Sequence, residues 1–154
     1  TSMLYFLTQK DPRCLSRAPF EADELFGWWT TGEALDLSCR KKDGDYYIVT
    51  DRWQKFTEEE LTIELLHKLE SWCDEYLIHG VDVEGKASGT EEDLVGMLAA
   101  WNGLPITYAG GIGSMEDLRE FARISGEKLD YTIGSALDLF GGKIPYAELT
   151  EPVK

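Results

Sequence analysis

Positive charge is scarce in this sequence. Its 154 residues carry 15 lysines and arginines against 29 aspartates and glutamates, for a formal net charge of −14. Nucleic acid and anionic membrane surfaces both need a basic face to meet them, so neither is expected as a partner. Only two histidines are present, and the three cysteines (Cys14, Cys39, Cys73) are an odd number without metal-site spacing. A disulfide framework is therefore not expected, and a reducing compartment fits the composition. Long apolar runs are also missing, since none approaches the ~18 residues of a membrane span. No basic n-region precedes an apolar core near the start, as a secretory signal would require.

What remains is an ordinary globular composition, 43% hydrophobic and 29% charged, at a length suited to one domain. The acids concentrate where helices are expected and read first as a solvated outer face.

The chain alternates strand, turn and helix. Residues 33–38 (EALDLS) form a short strand candidate. After it, Asp43-Gly44 turns into Tyr46-Tyr47-Ile48-Val49-Thr50, a β-rich run that predicts a small hairpin. Thr57-Glu58-Glu59-Glu60 has the pattern of a capping box opening a helix, with Leu61, Leu65, Leu66 and Leu69 as its apolar face. A second strand, Tyr76 to Val81, leads through a polar loop to a helix over 90–101. A third, Ile106 to Ala109, leads through Gly110-Gly111-Ile112-Gly113 to a helix over 114–124, with Ser114 and Asp117 as its cap pattern. A fourth, Tyr131 to Gly134, runs into Ser135 and a short helical segment, Ala136 to Phe140. Short apolar strands alternating with helices predict parallel β-α units, a barrel or an open doubly wound sheet alike.

Ligand sites of parallel β-α folds lie at the carboxyl ends of the strands. Here those ends carry Asp36, then Asp82 and Glu84, then Gly110-Gly111, then Gly134-Ser135. Two successive glycine-bearing strand ends, each opening a helix, predict a phosphate site. Backbone without Cβ can approach an anion, and a helix N-terminus offers free N–H groups. Asp36 lies within an apolar strand, where it reads either as a general acid or base or as a buried acid held by a neighbour such as Arg40. Asp82 and Glu84 carry the same two readings. His79, on the second strand, reads as a packing residue, and His67 as an exposed one. Trp53, with Arg52 and Gln54, reads as an aromatic covering an edge of the fold. No cysteine stands in a nucleophile's surroundings.

The stretches LDLSCRKKDG (35–44), LIHGVDVEGKASG (77–89), YAGGIGSMEDL (108–118) and TIGSALDLFGG (132–142) resemble, in order and spacing, strand-end motifs of one family. It is phosphoribosylformimino-5-aminoimidazole carboxamide ribotide (ProFAR) isomerase of histidine biosynthesis, in its eukaryotic form. The resemblance covers about residues 33–146, while Leu4 to Thr31 matches poorly; Thr1-Ser2 is similar to the end of the family's fourth strand. It implies an α/β fold, the C-terminal half of a (β/α)8 TIM barrel with four parallel strands alternating with helices. Residues 1–154 would then be a single half-barrel domain holding strands five to eight, with strands one to four absent.

The resemblance further implies an Amadori rearrangement of a bis-phosphorylated ribotide without metal or organic cofactor. Two carboxylates act, one from the family's first strand and one from its fifth. The fifth-strand position matches Asp36, as general acid, and one phosphate falls to Gly110, Gly111, Gly134 and Ser135. Bacterial members carry a Thr where Val81 stands and an Asp before the loop glycine, so either Asp82 or Glu84 occupies the second acidic position. Such a half is expected to pair with an N-terminal half-barrel, or to self-associate through open sheet edges, and to be inactive alone. The implied location is the cytoplasm, or the plastid in a plant or alga. Two alternatives share parts of the pattern: the cyclase half of imidazole glycerol phosphate synthase, and a non-catalytic phosphate-binding half-barrel that acts as an assembly module.

Overall fold

The computed structural model describes residues 34–50, 54–71, 73–83 and 89–150. The expectations placed on Leu4 to Thr31, on Arg52 and Trp53, and on Glu84 lie outside the described residues. One six-stranded sheet organises the rest. Its strands are β1 (Ala34–Lys42), β2 (Asp45–Thr50), β3 (Lys55–Glu60), β4 (Glu75–Gly80), β5 (Ile106–Ala109) and β6 (Asp130–Thr132). Their order across the sheet is β3-β2-β1-β4-β5-β6. The pairs β1–β4, β4–β5 and β5–β6 are parallel, and β1–β2 and β2–β3 are antiparallel. The chain thus has an α/β fold with a mostly parallel sheet, a partial barrel, as the sequence implies.

Four helices accompany the described sheet: α1 (Ile63–Leu69), α2 (Glu92–Ala99), α3 (Met115–Ser125) and α4 (Tyr146–Thr150). Strand alternation decides which side they cover. Leu35, Leu37 and Cys39 of β1, Tyr76 and Ile78 of β4, and Ile106 and Tyr108 of β5 are buried and in register on one face. They join Leu65, Leu66 and Leu69 of α1, Leu94, Val95 and Leu98 of α2, and Leu118 and Phe121 of α3 in one core. Each such leucine contributes about 2 kcal/mol by leaving water. Tyr108 stacks on Phe121 at 5.4 Å, and the Tyr76 hydroxyl donates to the Leu66 carbonyl at 2.6 Å, which fixes α1 to β4.

The expected hairpin is present. Asp43 (φ 53°) and Gly44 (φ 92°) both take the left-handed conformation that a two-residue turn between twisted strands requires. The helix expected from Thr57 is a correction. Residues 57–60 lie in β3, where the Thr57 hydroxyl donates to the Ile48 carbonyl at 2.8 Å and so serves the sheet. The cap is Thr62, whose side chain accepts from the Leu65 amide at 3.1 Å, and Leu61 is buried before the helix starts. The cap of α3 is the expected one. Ser114 accepts from the Asp117 amide at 3.1 Å, while Asp117 Oδ2 accepts from the Gly113 amide at 3.0 Å. The segment after β6 is tighter than expected, a single 3-10 turn over Asp138–Phe140.

Candidate active site at the strand ends

The face of the sheet opposite the helices carries the polar residues. Asp36, Ser38 and Arg40 of β1 alternate with its core residues, and in the parallel register Asp36 lies beside Leu77 and Ser38 beside His79. Thr107 and Ala109 of β5 continue the same rows, followed by Asp130 and Thr132 of β6. Asp82, Gly110-Gly111 and Gly134-Ser135 follow the carboxyl ends of three adjacent parallel strands. The strand-end position expected for Asp36 is corrected: it is the third of nine residues in β1, because that strand runs on to Lys42 and into the hairpin.

Asp36 is the most perturbed acid of this face. Its Oδ1 is shielded from solvent and has no hydrogen-bond partner. Burial pushes its carboxyl from the usual 3.8 up to about 7, and the charge of His79 pulls in the opposite direction. A carboxyl placed this way holds a proton near neutral pH and can donate it, as a general acid must.

Asp82 sits in the 3-10 turn Val81–Val83 that ends β4, and it is engaged differently. Its Oδ1 accepts from Arg40 Nε at 2.8 Å and its Oδ2 from the Lys41 backbone amide at 3.1 Å. Arg40 is thus tied to Asp82, with its guanidinium 5.2 Å from the centre of the Phe56 ring. That pair closes the rim between β1 and β4. A second clamp joins hairpin to helix: the Tyr46 hydroxyl donates to Glu91 Oε2 at 3.0 Å, and the Glu91 amide donates to the Tyr108 hydroxyl at 3.1 Å. Neither clamp was read from the sequence, since the Arg40–Asp82 and Tyr46–Glu91 contacts join residues 42 and 45 positions apart. The Cys39 thiol is buried and pushed well above its usual range by burial and by Glu91 and Asp82, which leaves it no nucleophile's role.

Gly110 (φ 128°) and Gly111 (φ 78°) are both buried in conformations that favour glycine. A Cβ on Gly110 would stand 2.5 Å from the Gly80 carbonyl oxygen, and one on Gly111 would stand 2.0 Å from that of Gly89. The Gly89 amide also donates to the Gly111 carbonyl at 3.2 Å. The turn thus runs against the neighbouring backbone and delivers the chain to the N-terminus of α3. Gly134 and Ser135 are exposed, and nothing lies within 4 Å of a Cβ built on Gly134. Small residues and the start of α3 therefore lie at adjacent strand ends.

A mostly parallel β-α sheet with helices on one face, polar residues on the other and glycine turns after its strands is the architecture of a partial barrel. Within that architecture the chain belongs to the histidine biosynthesis protein family, whose model matches residues 28–145. It is 50% identical over 115 residues to a Medicago truncatula protein named 1-(5-phosphoribosyl)-5-((5-phosphoribosylamino)methylideneamino) imidazole-4-carboxamide isomerase, chloroplastic. That match covers 75% of this chain and 37% of the relative. Isomerases of the same name from Neurospora crassa (47% over 110 residues) and Saccharomyces cerevisiae (42% over 115 residues) each match 71% of this chain. The chain spans 43% and 44% of those two relatives, and it matches the C-terminal part of such isomerases.

Proposed function

We propose that this chain supplies the C-terminal half of a ProFAR isomerase and carries one of its two catalytic acids, Asp36. The observation that carries the reading is the Asp36 carboxyl, on the inner face of β1, with a shielded Oδ1 and a proton held to about 7. The reaction is an intramolecular aldose–ketose isomerisation. Asp36 donates its proton to the ring oxygen of the aminoaldose as the C1–O bond breaks, leaving an open-chain imine. A base removes the C2 proton, and the resulting enolamine tautomerises to the aminoketose, so atoms balance without oxidant or reductant.

Asp82 is held by Arg40 and Lys41 and serves in this reading to fix the rim. The base comes from the first strand of an N-terminal half-barrel, with Glu84 as the other candidate. One substrate phosphate lies against Gly110, Gly111, Gly134 and Ser135. No metal or organic cofactor enters the reaction. The printed names of the relatives support the substrate class, and the Medicago protein's name supports a plastid in a plant source, with the cytoplasm otherwise. We treat residues 1–154 as one half-barrel unit.

The test is ProFAR turnover by the purified chain, alone and mixed with a separately expressed N-terminal half. Turnover in the mixture, lost by at least a hundredfold in Asp36→Asn with inorganic phosphate still bound, is the expected result. Full turnover by Asp36→Asn would remove Asp36 from the mechanism. Phosphate binding without turnover in any mixture would favour a non-catalytic binding module.

A further inference from the structure

His79 is the residue of this face that the reaction has left unused. It stands on β4, directly across from Ser38 and flanked on its other side by Ala109 of β5. Asp36, two residues before Ser38, is therefore its diagonal neighbour on the same face of a parallel pair. Such neighbours are about 7–8 Å apart at their backbones, within reach of a long side chain. Both flanking residues are small. His79 is half-buried, so its charge acts through less water than that of an exposed residue. The other histidine is not a competitor: His67 lies on α1 against Trp101, at a ring separation of 4.6 Å.

We propose that His79 is a positioning residue for Asp36, its imidazole setting how readily the carboxyl gives up its proton. The proposal rests on the reading of Asp36 as general acid and goes one residue beyond it. The charge of His79 on the adjacent strand favours the carboxylate that remains after donation, the direction in which His79 acts on Asp36. Glu75 of β4, two residues before Leu77, is the other diagonal neighbour of Asp36 on this face and has an interaction of its own. Of the two it is His79 whose charge acts on the Asp36 carboxyl. Lys42 of β1 lies over the Phe56 ring at 5.5 Å. Arg40 of β1 is paired with Asp82 beyond β4. Glu60 of β3 lies on the far side of Tyr47, and Asp130 of β6 lies beyond β5. In sheet spacing Asp130 is roughly 14 Å from β1, too far to compete with His79.

Two readouts test this in the full chain. The first is the titration of the Asp36 carboxyl by carbon NMR, with His79→Gln, His79→Lys and, as a control, His67→Gln. His79→Gln is expected to move the titration up by about half a unit or more, and His79→Lys to return it to the original position or below. His67→Gln is expected to leave it in place. The second is the pH profile of kcat/KM for the chain mixed with an N-terminal half. There the limb that falls at high pH is expected to shift up with His79→Gln and to be restored by His79→Lys. An unmoved Asp36 titration in a folded His79→Gln protein overturns the proposal. Turnover that survives Asp36→Asn, with the titration still coupled to His79, overturns the catalytic reading of Asp36 and leaves the coupling standing.

Discussion

Asp36 lowers the stability of the fold in the same pH range in which it suits catalysis. An aspartate that titrates at 3.8 in open chain and about 7 here takes up a proton on folding at any pH between those values. Its contribution is therefore neutral below pH 3.8, and stability declines as the pH rises to about 7, beyond which the loss is complete. Asp36→Asn removes the ionisation and keeps the shape. It is expected to stabilise the chain by on the order of 2 kcal/mol at pH 8, discounted from full burial because the side chain is partly open to water. At pH 3 the difference is expected to vanish. Urea unfolding of both proteins at the two pH values checks this, and a pH-independent difference would assign the effect to packing instead. Asp36 was legible in the sequence because a lone carboxylate interrupts an apolar strand. Whether it had a partner was not, since the candidate partner, Arg40, is drawn to Asp82, 42 positions away.

At the scale of elements, the sequence pattern and the structure part company over Thr57 to Glu60. A threonine followed three residues later by glutamate satisfies a capping box, and three consecutive glutamates have little intrinsic strand preference. Yet among the described residues β3 is an edge strand, where charged side chains reach water and discourage further pairing, so its composition suits the place it occupies. Helix α1 starts instead at the next threonine, Thr62, whose side chain meets the Leu65 amide. The two threonines should therefore fail differently. Thr62→Ala is expected to cost about 1 kcal/mol and to speed hydrogen exchange at the amides of the first turn of α1. Thr57→Ala should speed exchange in β2 and β3 and leave α1 protected. Faster exchange in α1 from Thr57→Ala would restore the cap to the earlier position. The parallel strands and the α3 cap were legible because period and cap chemistry agree there. The β2–β3 pairing was not, because it depends on which segment finds the edge.

At the scale of the whole molecule, the sheet ends unevenly among the described residues. β6 has a neighbour on one side only, and it is three residues long. β1 is paired with β4 along 34–39, but with the hairpin strand β2 only along 39–42. The hairpin thus occupies the upper part of β1, and the lower part, 34–38, has no partner strand on the side away from β4 among the described residues. The other outer strand, β3, is fenced by Glu58, Glu59 and Glu60. The edges able to accept parallel strands are therefore lower β1 and β6, the two positions at which a barrel would close. The chain's share of its relatives, 37% to 44% in the three compared, leaves room for the strands that would do so. Sedimentation of the chain alone is expected to show concentration-dependent self-association, because exposed parallel edges find one another. Adding a separately expressed N-terminal half should replace those species with a one-to-one complex, and ProFAR turnover should rise in proportion to it. If strand pairing along these edges holds the complex, raising salt should leave it largely intact, because screening weakens ion pairs far more than backbone ladders. A chain that stays monomeric alone and turns over ProFAR without its other half would place the base within these 154 residues, and Glu84 would then be the first position to change.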